Sequence, residues 1–213
     1  MANLLLHNIY YERQYRWILE DVNVELQSQQ LLFVSGNNGS GKTSLLRIVT
    51  GLVMADKGEV NWNGQPINSS STQYHQDMCY VGHKDGVKDD LTVAENIKLM
   101  QALVNNSVEH DHDNVENKKI TEYLDAVGLP NQHAMVATLS AGQKRRLALS
   151  RCLIGRRKLW ILDEPFTALD QNGIKLFQQH MSSHLDDGGI VMMASHQAVE
   201  LPGNNVTELN LSQ

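Results

Sequence analysis

Two cysteines are all that the 213 residues contain, Cys79 and Cys152, and they fall in unrelated segments without CxxC spacing. Neither a zinc site nor a disulfide framework is indicated by such a pair, and free, reduced thiols in the cytoplasm are expected. Long apolar runs are also missing. Met1 to Leu6 has no basic stretch leading into an extended hydrophobic one, and runs such as Ile190 to Ala194 are far short of a bilayer span. Any membrane role must therefore come through a partner. There is no excess of positive charge either: 18 basic against 24 acidic side chains leave a formal charge of -6 and a pI near 5.8. No global attraction to nucleic acid follows from that balance. Repeats and disorder-prone composition are absent, the length suits a single domain over 1–213, and 41% hydrophobic residues are enough for one substantial core.

What is present is an alternation of short apolar runs and helical periods. Leu31 to Val34 reads as a strand, followed by the glycine-rich turn of Gly36, Gly39 and Gly41 and a helix over Thr43 to Thr50. Met78 to Val81, Leu159 to Leu162 and Gly189 to Ala194 are continuous apolar runs of the kind parallel sheets bury on both faces. An α/β core follows. Thr92 and Glu95 are spaced as a capping box ahead of Val93, Ile97, Met100 and Val104 at helical intervals. A second helix is predicted around Ile120 to Val127. Between them Asn105 to Lys119 reads as a polar linker, and its Glu109-His110-Asp111-His112-Asp113 run is read as a solvated loop in preference to a metal cluster.

Three segments carry chemistry. Gly36-Asn37-Asn38-Gly39-Ser40-Gly41-Lys42-Thr43 has the two glycines, lysine and hydroxyl residue of a phosphate-binding loop, placed between a strand and a helix. Its backbone N–H groups turn in around the phosphates at a helix N-terminus, Lys42 neutralises the β and γ oxygens, and Thr43 reaches Mg2+. Leu159 to Asp163 sets a carboxylate at the carboxyl end of a buried strand, where ligands collect in open parallel sheets, so Asp163 is positioned to hold the metal. Glu164 follows, and because neighbouring residues point apart it is free to orient the attacking water. Leu139-Ser140-Ala141-Gly142-Gln143 opens a third helix, with Ser140 and Gln143 spaced as a capping box and Leu147, Arg151 and Ile154 continuing its period. Lys144, Arg145 and Arg146 read as a solvated face in preference to a nucleic-acid surface.

In this order and spacing the three segments resemble the ABC ATPases over nearly the whole chain. The resemblance implies a P-loop fold with a mainly parallel sheet, an inserted helical subdomain at roughly 88–150 and an N-terminal antiparallel β portion. It implies ATP and Mg2+, with Gly36 to Thr43 and Ser44 on the nucleotide, Thr43 and Asp163 on the metal, and Lys42, Glu164 and His196 as catalytic residues. His196, in Ser195-His196 after a strand, becomes the switch histidine that senses the γ-phosphate, and Ala168-Leu169-Asp170 the loop between paired subunits. Family members pair head to tail, so a homodimer is expected in which Ser140, Gly142 and Gln143 of one copy close over ATP on the other. An integral membrane permease subunit would follow the opening and closing of that pair.

Departures from the family pattern sharpen the resemblance. Ala141 stands where glycine is usual, His83 in Tyr80-Val81-Gly82-His83 stands where glutamine links metal and water to the membrane partner, and adenine stacking falls to Tyr11 or Arg13. Gly82-His83, Gly86-Val87-Lys88, Leu91-Thr92, Leu139 to Arg146, Trp160 to Asp170 and Ser195-His196-Gln197 resemble the subgroup serving cytochrome c maturation, the haem exporter ATPases. That subgroup implies a peripheral protein at the cytoplasmic face of the inner membrane, other cytochrome c maturation proteins as partners, and no nucleic acid. The link to haem comes from the resemblance, since no CxxCH motif is present. Three rival readings are an ATPase for another small exporter, with Val87 to Val104 as docking face in either case; a soluble ATP-driven clamp; and a nucleotide-binding protein that has lost catalysis. The clamp would need coiled-coil insertions or a basic face, and the last would have lost Lys42, Asp163, Glu164 or His196.

Overall fold

The computed structural model describes residues 2–68, 71–105, 114–129, 131–155, 157–196, 201, 203 and 205–212. Strands β1 (Asn3–Arg13) and β2 (Arg16–Gln27) form a long hairpin, followed by β3 (Gln30–Ser35), β4 (Lys57–Trp62), β5 (Gln65–Pro66), β6 (Met78–Val81), β7 (Leu159–Asp163), β8 (Ile190–Ala194) and β9 (Asn205–Asn210). Helices α1 (Lys42–Val49), α2 (Ser71–Asp77), α3 (Val93–Asn105), α4 (Asn114–Ala126), α5 (Ala141–Leu149) and α6 (Gln171–Asp186) complete the described elements of regular length. The strands divide into an antiparallel sheet of order β2-β1-β4-β5 and a parallel sheet of order β6-β7-β8-β3-β9.

The continuous apolar runs bury both faces of the parallel sheet, as such runs must. Leu32, Val34, Leu159, Ile161, Ile190 and Met192 point to one core, which they share with α1 and with Leu4, Leu6 and Ile9 of the antiparallel sheet. Their neighbours Leu31, Trp160, Leu162, Val191 and Met193 point to the other, against Phe177, Met181 and Leu185 of α6. A third core joins Val93, Ile97 and Met100 of α3 to Ile120 and Leu124 of α4 and Leu147 of α5.

Both capping boxes form. Thr92 donates its N–H and hydroxyl to Glu95 Oε2, each at 2.7 Å, and the Glu95 N–H returns to Thr92 Oγ1 at 3.2 Å. Two boundaries differ from expectation. The second helix begins at Asn114, well ahead of Ile120, because extending an existing helix costs far less than starting one and polar residues propagate it readily. The helix opened by Ser140 ends at Leu149, and Arg151 lies in a 3-10 turn, Ser150–Leu153. There the Ser150 hydroxyl donates to the Leu147 carbonyl at 2.7 Å and the last turn tightens. The stretch from Glu109 to Asp113, and Gln197, lie outside the described residues.

Candidate functional site

The parallel sheet sets the site. Strands β3, β7 and β8 are neighbours, with Val34 and Asp163 each opposite Ala194, so the segments that leave their carboxyl ends emerge side by side. The Gly36 to Thr43 loop joins β3 to α1 and Gly41 is the residue on which α1 starts, at φ 99°. A Cβ there would approach Ile18 Cγ2 to 2.8 Å and Leu19 Cδ2 to 2.9 Å, so both the left-handed backbone and the close approach of the β1–β2 hairpin require glycine.

Within the loop the buried Lys42 ammonium donates to the carbonyl oxygens of Gly36 at 2.7 Å and Asn37 at 3.0 Å. Ser40 Oγ is buried and has no hydrogen-bond partner among the described residues. An unsatisfied hydroxyl is costly inside a protein, and beside a helix N-terminus it suits an anionic oxygen. The loop is braced by the end of the chain: the Asn37 N–H donates to Ser212 Oγ at 2.9 Å and the Leu211 N–H to the Ser35 carbonyl at 3.0 Å. Beside it lies a cleft of about 630 Å³, walled by Arg16, Trp17 and Ile18 and by Asn38, Ser40 and Ser212. Tyr11 lies elsewhere, packed against the first core, and Arg13 sits opposite Arg16 at the hairpin end; neither lines the cleft. Ser44 is half-buried on the first turn of α1.

Asp163 closes β7 and is 2% exposed. The Thr43 hydroxyl donates to its carboxylate at 3.0 and 3.2 Å. A hydroxyl and a buried carboxylate converging beside a phosphate loop are oxygen donors of the kind Mg2+ takes, so these residues fit the metal. Burial, and next the Asp163 charge, raise the Tyr80 hydroxyl above its ordinary range. Glu164 follows at φ 50°, a left-handed backbone uncommon for a non-glycine residue. Its N–H donates to the Ala194 carbonyl at 2.8 Å, and its carboxylate meets His196, with Nε2 3.3 Å from Oε1 and the His196 N–H donating to Oε2 at 3.3 Å.

The Ser140 segment reaches this centre through Arg145, a residue expected on a solvated face. Arg145 is 3% exposed. It donates to the carbonyl oxygens of Asp163 and Glu164 at 2.8 Å each, of Gly82 at 2.9 Å and of Pro165 at 3.2 Å, and it pairs with Asp85 at 3.0 Å. Lys144 pairs with the exposed Asp89 at 2.7 Å and Arg146 with the exposed Asp170 at 2.5 Å, so all three cations are engaged and the expected solvated face is corrected at Arg145. A helix turns about 100° per residue, so three consecutive cations point three ways, and only Arg145 faces the strand.

Asp170 caps α6 by accepting the Gly173 N–H at 2.8 Å; that bond, and next Arg146, hold its carboxyl below the ordinary carboxylate range. Ser140 Oγ accepts the Gln143 N–H at 3.2 Å and Gln143 Oε1 accepts the Ser140 N–H at 2.9 Å. Among the described residues no hydrogen bond joins Ser140, Gly142 or Gln143 to the Gly36 to Thr43 loop of the same chain. His83 is exposed just beyond β6.

Residues 19–167 match the family model described as ABC transporter. The chain is similar to the cytochrome c biogenesis ATP-binding export protein CcmA of Photobacterium profundum, 39% identical over 206 residues, with 94% of this chain and 95% of that one covered. The protein of the same name from Vibrio vulnificus is 42% identical, with 87% of each chain covered. That from Escherichia coli is 36% identical, with 100% and 98% covered. Among solved structures, an ATP-binding protein of a putative ABC transporter from Pyrococcus furiosus superposes with a TM-score of 0.81 at 23% identity, covering 98% of this chain and 97% of that one. A dimeric ATP-binding cassette in a post-hydrolysis state, bound to ADP and Pi, gives 0.78 at 23% identity, covering 91% and 88%. These likenesses extend to the fold, with its parallel and antiparallel sheets.

Proposed function

The chain belongs to the ABC transporter family as an ATP-binding, ATP-hydrolysing subunit, and from that premise we propose that its hydrolysis drives a separate membrane subunit in cytochrome c biogenesis. The observation that carries the site assignment is the convergence of Thr43 on Asp163 and of His196 on Glu164 at adjacent strand ends.

The loop amides and the Ser40 hydroxyl receive the phosphates, and Lys42 exchanges the Gly36 and Asn37 carbonyls it now serves for phosphate oxygens. Thr43 and Asp163 hold Mg2+, which when bound neutralises phosphate charge. Glu164 accepts the proton of the attacking water, while His196 fixes the carboxylate and faces the γ-phosphate. The base of ATP lies in the cleft beside the β1–β2 hairpin.

Two copies pair so that Ser140, Gly142 and Gln143 of each complete the site of the other, with Asp170 near the junction. The helical region of roughly 88–150 acts as the unit that meets the membrane subunit. None of the described helices is long and apolar enough to cross a membrane, so the place at the cytoplasmic face of the inner membrane rests on that partner and on the likeness to the CcmA proteins.

The test is to purify tagged Glu164→Gln chain from ATP-treated, solubilised membranes and to identify its companions by mass spectrometry and haem absorbance. A multi-helix membrane protein accompanied by haem-handling proteins is expected. An unrelated permease would leave the ATPase in place and remove the link to cytochrome c.

A further inference from the structure

Cys79 lies in β6 beside Trp160 of β7, and Cys152 lies in the 3-10 turn Ser150–Leu153 that continues α5. The fold brings their sulfurs to 3.7 Å, an encounter invisible in the sequence. Both residues are buried, at 5% and 2% exposure, yet each lines a different hollow. Cys79 borders one of about 180 Å³ with Met100 and Arg151, and Cys152 borders one of about 650 Å³ with Trp160 and His184. Arg157 borders both. Each cysteine thus borders a hollow of a size that suits a small solute.

The two thiols are unequal. The hydrogen bond with Cys152, and next the charges of Arg151 and Arg157, hold Cys79 below the ordinary thiol range against the opposing effect of burial. Burial, and next the contact with Cys79, push Cys152 well above it. Cys79 is thus the nucleophile of the pair.

We propose that Cys79 and Cys152 are a redox modification site, closed to a reversible disulfide by a small hydroperoxide. The Cys79 thiolate attacks the peroxide, breaking the O–O bond to give a sulfenic acid and hydroxide. Cys152 then attacks the Cys79 sulfur; the S–S bond forms, the S–O bond breaks, and water leaves. Overall two thiols and one hydrogen peroxide become one disulfide and two waters, with both electrons passing to peroxide oxygen. Forming a bond of about 2.05 Å asks the sulfurs to close by roughly 1.7 Å. The bond ties the strand that leads to Gly82-His83 to the end of the helix opened by Ser140. Resting on the assignment of that helix to the nucleotide of a paired copy, it restrains the movement that closure requires and lowers ATP turnover.

The test treats the purified full chain with hydrogen peroxide, quenches it, and unfolds it in iodoacetamide before weighing. The expected product has lost about 2 Da, takes no alkyl group, and yields a Cys79–Cys152 peptide pair. Dithiothreitol restores both mass and turnover. The Cys152→Ser variant shows no such loss. Two alkylated cysteines after peroxide treatment of the unaltered chain would overturn the proposal. A completed disulfide with unchanged turnover would overturn its link to the helix, while the ATPase assignment, read from untreated protein, stands or falls separately.

Discussion

Arg145 Nη2 sits 2.8 Å from the carbonyl oxygens of both Asp163 and Glu164, so one buried guanidinium joins the Ser140 helix to the strand end that bears both acidic side chains. Through the same group the Gly82 carbonyl, one residue before His83, is held to that strand end. A single side chain thus ties α5 to the backbone of the acidic pair.

Replacing Arg145 with alanine leaves four carbonyl oxygens and Asp85 without this donor. Loss of one partner from a buried ionic network costs about 3–5 kcal/mol, so Arg145→Ala lowers the denaturant midpoint sharply. Arg145→Lys recovers little of it, because an ammonium cannot fork toward Gly82 and Glu164 together. Chemical denaturation of the three proteins reads the difference.

Gly142 packs against the next loop. A Cβ on it would lie 2.6 Å from the Ala168 carbonyl oxygen, and Ala168 itself is held at φ 64°. Backbone cannot yield as a side-chain tip can, so Gly142→Ala costs about 1–3 kcal/mol and displaces the loop that leads to Asp170. ATP turnover falls more than ATP binding to the isolated chain, a split read by titration beside steady-state hydrolysis.

How much of this was legible beforehand differs by residue. The glycine-rich turn between β3 and α1, the strands ending at Val81 and Asp163 and both capping boxes are local patterns, and each forms where its spacing places it. Arg145 was hidden because its neighbours Lys144 and Arg146 share its charge, and only the packing of α5 on β7 distinguishes the three. The Cys79–Cys152 encounter depends on a strand and a turn meeting across the fold. Tyr11 and Arg13 follow from resemblance to a family position, whereas the hairpin sets Arg16, Trp17 and Ile18 along the cleft.

His184 gives the protein an acid sensitivity. It is stacked on Trp160, with ring centroids 4.0 Å apart, and burial lowers its pKa from 6.5 to about 4. The unfolded chain then binds more protons between those values, so stability is complete above pH 6.5 and declines as pH falls toward 4. At 1.36 kcal/mol per pKa unit the loss is on the order of 3 kcal/mol. His184→Gln flattens the stability profile across that window, as thermal melts at several pH values will read.

Asp163→Asn keeps the hydrogen bond from Thr43 but removes the negative charge from the proposed metal position. ATP binding measured without Mg2+ changes little, while the tightening that Mg2+ brings is lost. Calorimetric titrations with and without the ion check this.

The central claim is that Glu164, held by His196 at 3.3 Å, takes the proton from the attacking water. Positioned acid–base groups contribute about 10²–10⁴-fold to a rate. Steady-state hydrolysis by Glu164→Gln, run beside an ATP-binding titration of the same preparation, tests this directly. Turnover lower by about that factor, with ATP affinity preserved and a dimer persisting in ATP, is the predicted result; turnover equal to that of the unaltered chain would contradict it.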